Sequence, residues 1–269
     1  MPTALQIDAP ISLGSFFPAD SDDEDEDEEA EVELDDCFES QDVTLADRTL
    51  HIRQYAYHSH NANRVWPGTF NLTDYLFEED SNGKYLHQWG SILELGTATG
   101  LLGIRLSMSA STRPSLGGES AAAADDENGV CRRSSSICTS VVTSDLDDDR
   151  VEDRVRYNFE RNGVASNHVH VPHTWGTGWK ECATKKGMGQ TTFDTIVASD
   201  ILLYVSAYAA LVETLLELMG PQCKLVMSWN RRMKESSEFF DRMNDAGFDC
   251  EHIGKCVYVF TVRLLVIIT

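Results

Sequence analysis

The sequence predicts a doubly wound α/β fold, a Rossmann-like and largely parallel sheet of seven strands that ends in an antiparallel hairpin. Three observations carry this expectation. Short apolar runs alternate with amphipathic stretches from Ser91 onward, and a turn of small residues, Gly96 to Gly100, follows the first run. Two further strand-like runs, around Cys250–Ile253 and Lys255–Leu265, close the pattern. Strands that alternate with helices build parallel sheets, and such sheets bind ligands at the carboxyl ends of their strands.

The 269 residues have room for one substantial domain with tails. The formal charge of −22 is unevenly spread, because from Asp20 to Glu39 nearly every second residue is acidic and none is Lys or Arg. Such a run cannot bury enough apolar surface to offset chain entropy. Residues 1–42 are therefore expected to be an acidic disordered tail, either solubilising or able to dock a basic partner, with the domain over 43–269. The apolar patch at Ile11 and Phe16-Phe17 has no basic region before it, so no signal peptide is expected. Val257–Ile268 is broken by Thr261 and Arg263 and is too short to span a bilayer, so no membrane association is expected. Seven scattered Cys without a C-x-x-C pair fit a reducing compartment. The cytoplasm is the expected location, with the nucleus as a second one.

Along the chain, Val43 to His58 alternates too loosely for a single period and is expected to be a short hairpin or extended cover. Val65-Trp66-Pro67-Gly68 is a turn, and Phe70–Glu79 is expected to be a short helix with Leu72, Tyr75 and Leu76 on one side. Ile92–Leu95 is a buried strand that runs into the small-residue turn and a helix through Leu101, Leu102, Ile104 and Leu106. Residues 111–136 are rich in Ser, Ala, Gly and Asp without apolar periodicity, which predicts a flexible insertion. A second strand ends at Asp145. A polar helix is expected over Asp147–Asn162, with Val151, Val155 and Phe159 on one face. Val169 and Val171 mark a third strand and Phe193–Ser199 a fourth. A helix over Tyr208–Met219, a fifth strand over Lys224–Trp229 and a helix over Lys234–Ala246 lead into the closing hairpin.

Three features fall where such a sheet holds a nucleotide-like ligand. The turn Glu94-Leu95-Gly96-Thr97-Ala98-Thr99-Gly100 lets backbone approach a ligand closely. Its spacing is G-x-A-x-G behind an acid, whereas a dinucleotide site needs G-x-G-x-x-G; this disfavours a pyrophosphate ligand such as NAD. S-adenosylmethionine has no pyrophosphate, and Glu94 can serve its cationic methionine end. Asp145, at the end of the second strand, can accept hydrogen bonds from both ribose hydroxyls. Its distance from the turn exceeds the usual ~20 residues, an excess the insertion accounts for. Trp175-Gly176, after the third strand, offers an indole to cover adenine. Asp147, Asp148 and Asp149 fit the acidic first turn of the next helix. His58, His60, His168, His170 and His173 lack metal-ligand spacing, so no metal is expected. Arg231-Arg232 is too short a basic run for nucleic acid.

The segments Val65–Gly68, Ile92–Gly100, Thr143-Ser144-Asp145, Thr174-Trp175-Gly176 and Phe193–Asp200 resemble the seven-β-strand lysine methyltransferases of the methyltransferase-like 21 and nicotinamide-N-methyltransferase-like group. The resemblance runs in order over residues 45–265, apart from the insertion. It implies a Rossmann-like methyltransferase that uses S-adenosylmethionine, with Trp66, Glu94, Gly96, Ala98, Gly100, Asp145, Trp175 and Ser199 around the cofactor. It further implies a protein substrate, modified on a lysine or an N-terminal amine, of the kind a translation factor or chaperone represents. Two departures stand out. Ala98 replaces a frequent Gly, and the group's Asp-x-x-Tyr after the fourth strand is lengthened to Asp200-Ile201-Leu202-Leu203-Tyr204. Asp200 and Tyr204 are the expected catalytic pair, Asp200 to orient the attacking amine and Tyr204 to shape its channel. Asp200 also suits the N-cap of a segment that begins near Ile201. Alternative functions are small-molecule N-methylation and a non-catalytic, cofactor-binding interaction protein.

Overall fold

The computed structural model describes residues 38–81, 83–110, 137–189, 191–229 and 234–263. Most of the acidic tail and the whole 111–136 insertion lie outside them. The domain begins earlier than its composition suggests. Phe38–Leu45 forms β1 and pairs antiparallel with β2 (Arg48–Tyr55), so residues 38–42 belong to a strand and not to the tail. Its first five residues are exposed and four of them, Glu39–Asp42, are polar, which is why they read as tail.

The order continues with α1 (Gly68–Leu76), β3 (Ser91–Leu95), α2 (Leu101–Ser107), β4 (Ser140–Asp145), α3 (Asp149–Arg161) and β5 (Val169–Pro172). It ends with α4 (Trp179–Lys185), β6 (Thr195–Ser199), α5 (Tyr208–Leu218), β7 (Lys224–Ser228), α6 (Ser237–Asp245), β8 (Phe248–Gly254) and β9 (Val257–Val262). The seven-stranded sheet has the order β5-β4-β3-β6-β7-β9-β8. Its first five strands run parallel, and β9 joins β7 and β8 antiparallel. This is the expected fold, with one helix, α4, that the sequence reading did not contain.

Strands buried on both faces need apolar residues without alternation, and β3 and β6 have every residue buried. Leu93, Leu95, Ile196, Ala198, Leu225 and Met227 face Trp179, Tyr208, Leu211, Leu215 and Phe239 of α4, α5 and α6. Ile92, Val141, Val197 and Val226 face Leu72 and Leu76 of α1 and Leu102 and Leu106 of α2. The strand order reverses between β4 and β6, on either side of β3, and the crevice at that switch point opens at the carboxyl ends of these strands.

The β1–β2 hairpin is fastened from α3. Asn158 accepts from the Arg53 N–H at 2.8 Å and donates to the Arg53 carbonyl at 2.9 Å. Asn162 repeats this with His51, at 3.0 and 2.8 Å. Two side chains one helical turn apart thus act as a third strand on the hairpin's edge, because a helix rises about 6 Å in four residues and a strand about 6.6 Å in two. Leu45, Leu50 and Ile52 pack beneath, against Ile104, Val151, Val155 and Phe159.

Candidate active site

A cleft of about 80 Å³ lies at the switch point, lined by the turn after β3, the ends of β4 and β6, and the segment that leads into α1. Of the expected site residues, Trp66, Gly96, Ala98, Asp145, Trp175, Ser199, Asp200 and Tyr204 line it. They are joined by His60, Asn61, Ala62, Ile201 and Leu203, which sequence reasoning missed. Segment 57–65 has no periodicity, so only its closeness to Trp66 pointed to it.

Glu94 and Gly100 are not among the lining residues. Glu94 is the last residue but one of a fully buried strand, and its carboxyl points to α2. Its Oε2 accepts from Thr97 Oγ1 at 2.7 Å, and the carboxyl accepts the Gly103 N–H. Burial pushes this carboxyl up to about 8. Its work is to hold the turn to the helix behind it. Gly100 begins α2 on the far side of the turn, against Phe159.

The turn is shaped by what stands on either side of it. Gly96 has φ +68°, and a Cβ there would come within 2.6 Å of Ile201 Cγ2, so glycine is required. Ala98 takes φ +48°, a conformation that costs a non-glycine residue about 1–2 kcal/mol. Its N–H donates to Asp145 Oδ2 at 2.7 Å, and its carbonyl accepts from Arg154 Nη2 at 3.0 Å. Arg154 is buried and also donates through Nη2 to the Ala62 carbonyl, so a single guanidinium joins the turn to segment 57–65. Burial lowers its pKa to about 10, against the attraction of Asp145.

Asp145 closes β4 with its carboxylate in the cleft. Oδ2 meets the Ala98 N–H and Oδ1 the Leu146 N–H, each at 2.7 Å. Burial raises its pKa, while those two bonds and the Arg154 charge oppose the rise. Each carboxylate oxygen can accept a second hydrogen bond, so ribose hydroxyls remain within its capacity. Asp148, not Asp147, caps α3, accepting from the Arg150 N–H at 2.8 Å.

Asp200 follows β6 with φ +51° and is 2 % exposed. No α-helix begins at Ile201; a short 3₁₀ turn, Val205–Ala207, comes first and leads into α5. The expectation of a local N-cap is therefore corrected, because the carboxylate reaches across to α1. Its Oδ2 accepts from the Gly68 N–H at 2.6 Å, which satisfies the first N–H of that helix. A Cβ on Gly68 would lie 2.8 Å from Asp200 Cγ, so Val65-Trp66-Pro67-Gly68 must end in glycine for this contact to form. Ser199 Oγ and Thr69 Oγ1 form a second link, at 3.0 Å. Trp66 Nε1 donates to the Asn61 carbonyl at 3.1 Å. Tyr204 stands at the rim, 39 % exposed, with its hydroxyl 2.5 Å from Asn61 Nδ2.

Among the described residues, no group of three or more His, Cys, Asp or Glu is placed to hold a metal ion. His168 and His170 are turned inward, each with one ring nitrogen on Thr143 Oγ1, and burial lowers both to about 3. No helix among the described residues is long and apolar enough to cross a membrane. A larger cavity, about 240 Å³, lies away from this cleft between α1 and the β8–β9 turn.

A family model described as lysine methyltransferase matches residues 44–117 and 128–246. Among solved structures, a SAM-dependent methyltransferase from Aquifex aeolicus aligns at 15% identity and TM-score 0.43, over 66% of this chain and 85% of that one. A methyltransferase from Pyrococcus furiosus aligns at 17% identity and TM-score 0.38, over 67% and 78%. The T. Thermophilus 16S rRNA N2 G1207 methyltransferase, in complex with AdoMet and guanosine, aligns at 13% identity and TM-score 0.49, over 84% and 51%. No curated protein sequence matches the chain.

Proposed function

The chain belongs to the lysine methyltransferase family, and on that premise we propose that it methylates a lysine side chain of a protein at the Asp200 end of the cleft. It is a methyltransferase whose cofactor is S-adenosylmethionine. The residues of the cleft suit that cofactor. A glycine turn that admits no Cβ, a carboxylate with spare acceptor sites and two indoles surround one space. When bound, S-adenosylmethionine supplies a methyl group on a sulfonium, so no further activation of the donor is needed.

The chain's own residues then have two tasks. The first is alignment, since a methyl transfer in line with the departing sulfur gains most from fixed geometry. Asp145 would hold the nucleoside end, and Trp66 and Trp175 would flank it. The second is to present the acceptor as a neutral amine, although a free lysine has a pKa of about 10.4. A dry channel lowers that value. Asp200, buried and tied to Gly68, would accept an N–H from the amine and point its lone pair inward. The single observation that favours a protein acceptor is Tyr204: the rim beside Asp200 is an exposed aromatic ring, which a long side chain from another protein can reach.

By the resemblance described above, the acceptor is of the kind that translation factors or chaperones represent, and the cysteine usage supports action in the cytoplasm, with the nucleus as a second location. The test is to incubate purified protein and labelled cofactor with lysate from cells lacking it, then to identify the labelled acceptor. Label on a protein lysine supports the reading; label confined to small molecules removes it.

A further inference from the structure

Trp175 lines the cleft from the loop that joins β5 to α4. The two ends of that loop are fastened separately. At the β5 end the His173 N–H donates to the Asp145 carbonyl at 2.8 Å, and Thr174 Oγ1 accepts from the Asp147 N–H at 3.3 Å. At the α4 end the carboxylate of Glu217, on α5, accepts from the Gly178, Trp179 and Lys180 N–H groups at 3.0, 3.3 and 3.1 Å. Between the two, next to Trp175 itself, Thr214 of α5 holds both backbone groups of Gly176. Its Oγ1 accepts from the Gly176 N–H at 2.8 Å and donates toward the Gly176 carbonyl at 2.9 Å.

Both partners are unusual for their places. Thr214 is fully buried in a helix whose other buried residues include Leu211, Leu215 and Leu218. A buried hydroxyl costs stability unless it is bonded. A helical Thr satisfies its proton on the carbonyl four residues back, here Ala210 at 3.1 Å. That bond alone leaves the lone pairs of the oxygen unused, and one of them takes the Gly176 N–H. Gly176 has φ +134°, yet a Cβ on it would meet nothing within 4 Å. Glycine is needed there for the backbone conformation and not for space, and in that conformation its N–H and its carbonyl reach the same oxygen atom.

We propose that Thr214 is a positioning residue for methyl transfer: through Gly176 it fixes the Trp175 indole where the ring can cover the adenine of S-adenosylmethionine. This rests on the reading of Trp175 as the adenine cover. The indole already stands beside the glycine turn, since a Cβ on Gly96 would lie 4.0 Å from Trp175 Cζ2. An aromatic ring that is ordered before the ligand arrives spares the complex the entropy of ordering it on binding. Thr214 touches no part of the cleft lining except through this loop, so its effect on the cofactor must pass through Trp175.

The test is a double-mutant cycle on the full chain, with S-adenosylhomocysteine binding measured by calorimetry. Thr214→Val keeps the shape and loses the hydroxyl, and Kd should rise roughly two- to tenfold, the range that one hydrogen bond covers. Thr214→Ser keeps the hydroxyl and should bind as the wild type does. Gly176→Ala strains the same contact from its other side without entering the core, and should match Thr214→Val; it carries the test should Thr214→Val fail to fold. Trp175→Ala should itself weaken binding, and in that background Thr214→Val or Gly176→Ala should weaken it no further. In turnover, KM for S-adenosylmethionine should rise with kcat held. Wild-type affinity in both Thr214→Val and Gly176→Ala, or a loss that persists in the Trp175→Ala background, overturns the positioning role. Wild-type affinity in Trp175→Ala instead overturns the adenine reading on which the proposal rests.

Discussion

Asp200 Oδ2 lies 2.6 Å from the Gly68 nitrogen, so the carboxylate expected to face the acceptor amine also terminates the first helix of the domain. The two roles respond differently to substitution. Asn keeps an oxygen for the Gly68 N–H and loses only the charge. Asp200→Asn should therefore fold with near-normal melting temperature and bind S-adenosylhomocysteine normally, while transfer to the acceptor found in lysate falls on the order of 10²-fold. Asp200→Ala should in addition lose about 1–2 kcal/mol of stability, because the Gly68 N–H is left without its partner. Full turnover in the Asn variant would reduce Asp200 to a helix anchor.

Asp145→Ala should weaken S-adenosylhomocysteine binding by about 1.5–3 kcal/mol, measured by calorimetry, through the loss of hydrogen bonds to a charged acceptor. The same titration with NADH should show no heat of binding. An unchanged affinity would place the ribose elsewhere.

Glu94 provides a prediction in pH. Its carboxyl stands at about 8 in the folded protein, against 4.5 as its ordinary value. Between these values the folded state keeps a proton that the unfolded chain has released, so this group's contribution to stability falls as pH rises from about 4.5 to about 8. Glu94→Gln still accepts from Thr97 Oγ1 and has no such proton to lose. Its unfolding free energy, measured in urea, should vary less across that window and exceed the wild type's at pH 8, by an amount on the order of a few kcal/mol. Parallel curves would show that Glu94 ionises as an ordinary glutamate.

Arg154→Met should cost about 2–4 kcal/mol in urea unfolding, since the Ala98 and Ala62 carbonyls both lose a buried donor. It should also weaken S-adenosylhomocysteine binding, because Ala98 keeps its strained φ only while both of its backbone groups are held. A loss of stability without a loss of affinity would separate Arg154 from the site.

The sheet was legible in the sequence because its strands are buried on both faces and so appear as apolar runs, with turns between them. Asp145, Trp175, Ser199 and Asp200 were legible as residues of the cleft for a related reason: in this topology the crevice lies at the carboxyl ends of the strands. What escaped the reading was held by side chains with no periodic signature. Arg154, Asn158 and Asn162 looked like the wet face of a polar helix, yet each is turned inward to satisfy backbone from another part of the chain. Helix α4 was missed because its seven residues bury only Trp179 and Ala183.

The position of β9 has a consequence for biosynthesis. In sequence it follows β8, but in space it lies between β7 and β8 and is β8's neighbour in the sheet. Until Val257–Val262 has left the ribosome, β7 presents an open edge and β8 has nothing to pair with. The nascent chain can assemble the five neighbouring strands β5-β4-β3-β6-β7, including most of the cleft, but the sheet closes only once β9 has emerged. An incomplete product that ends before β9 would keep the cleft residues and expose an unpaired apolar strand, the kind of edge that templates aggregation. Quality control of this sheet is therefore read at β9, the strand that closes it.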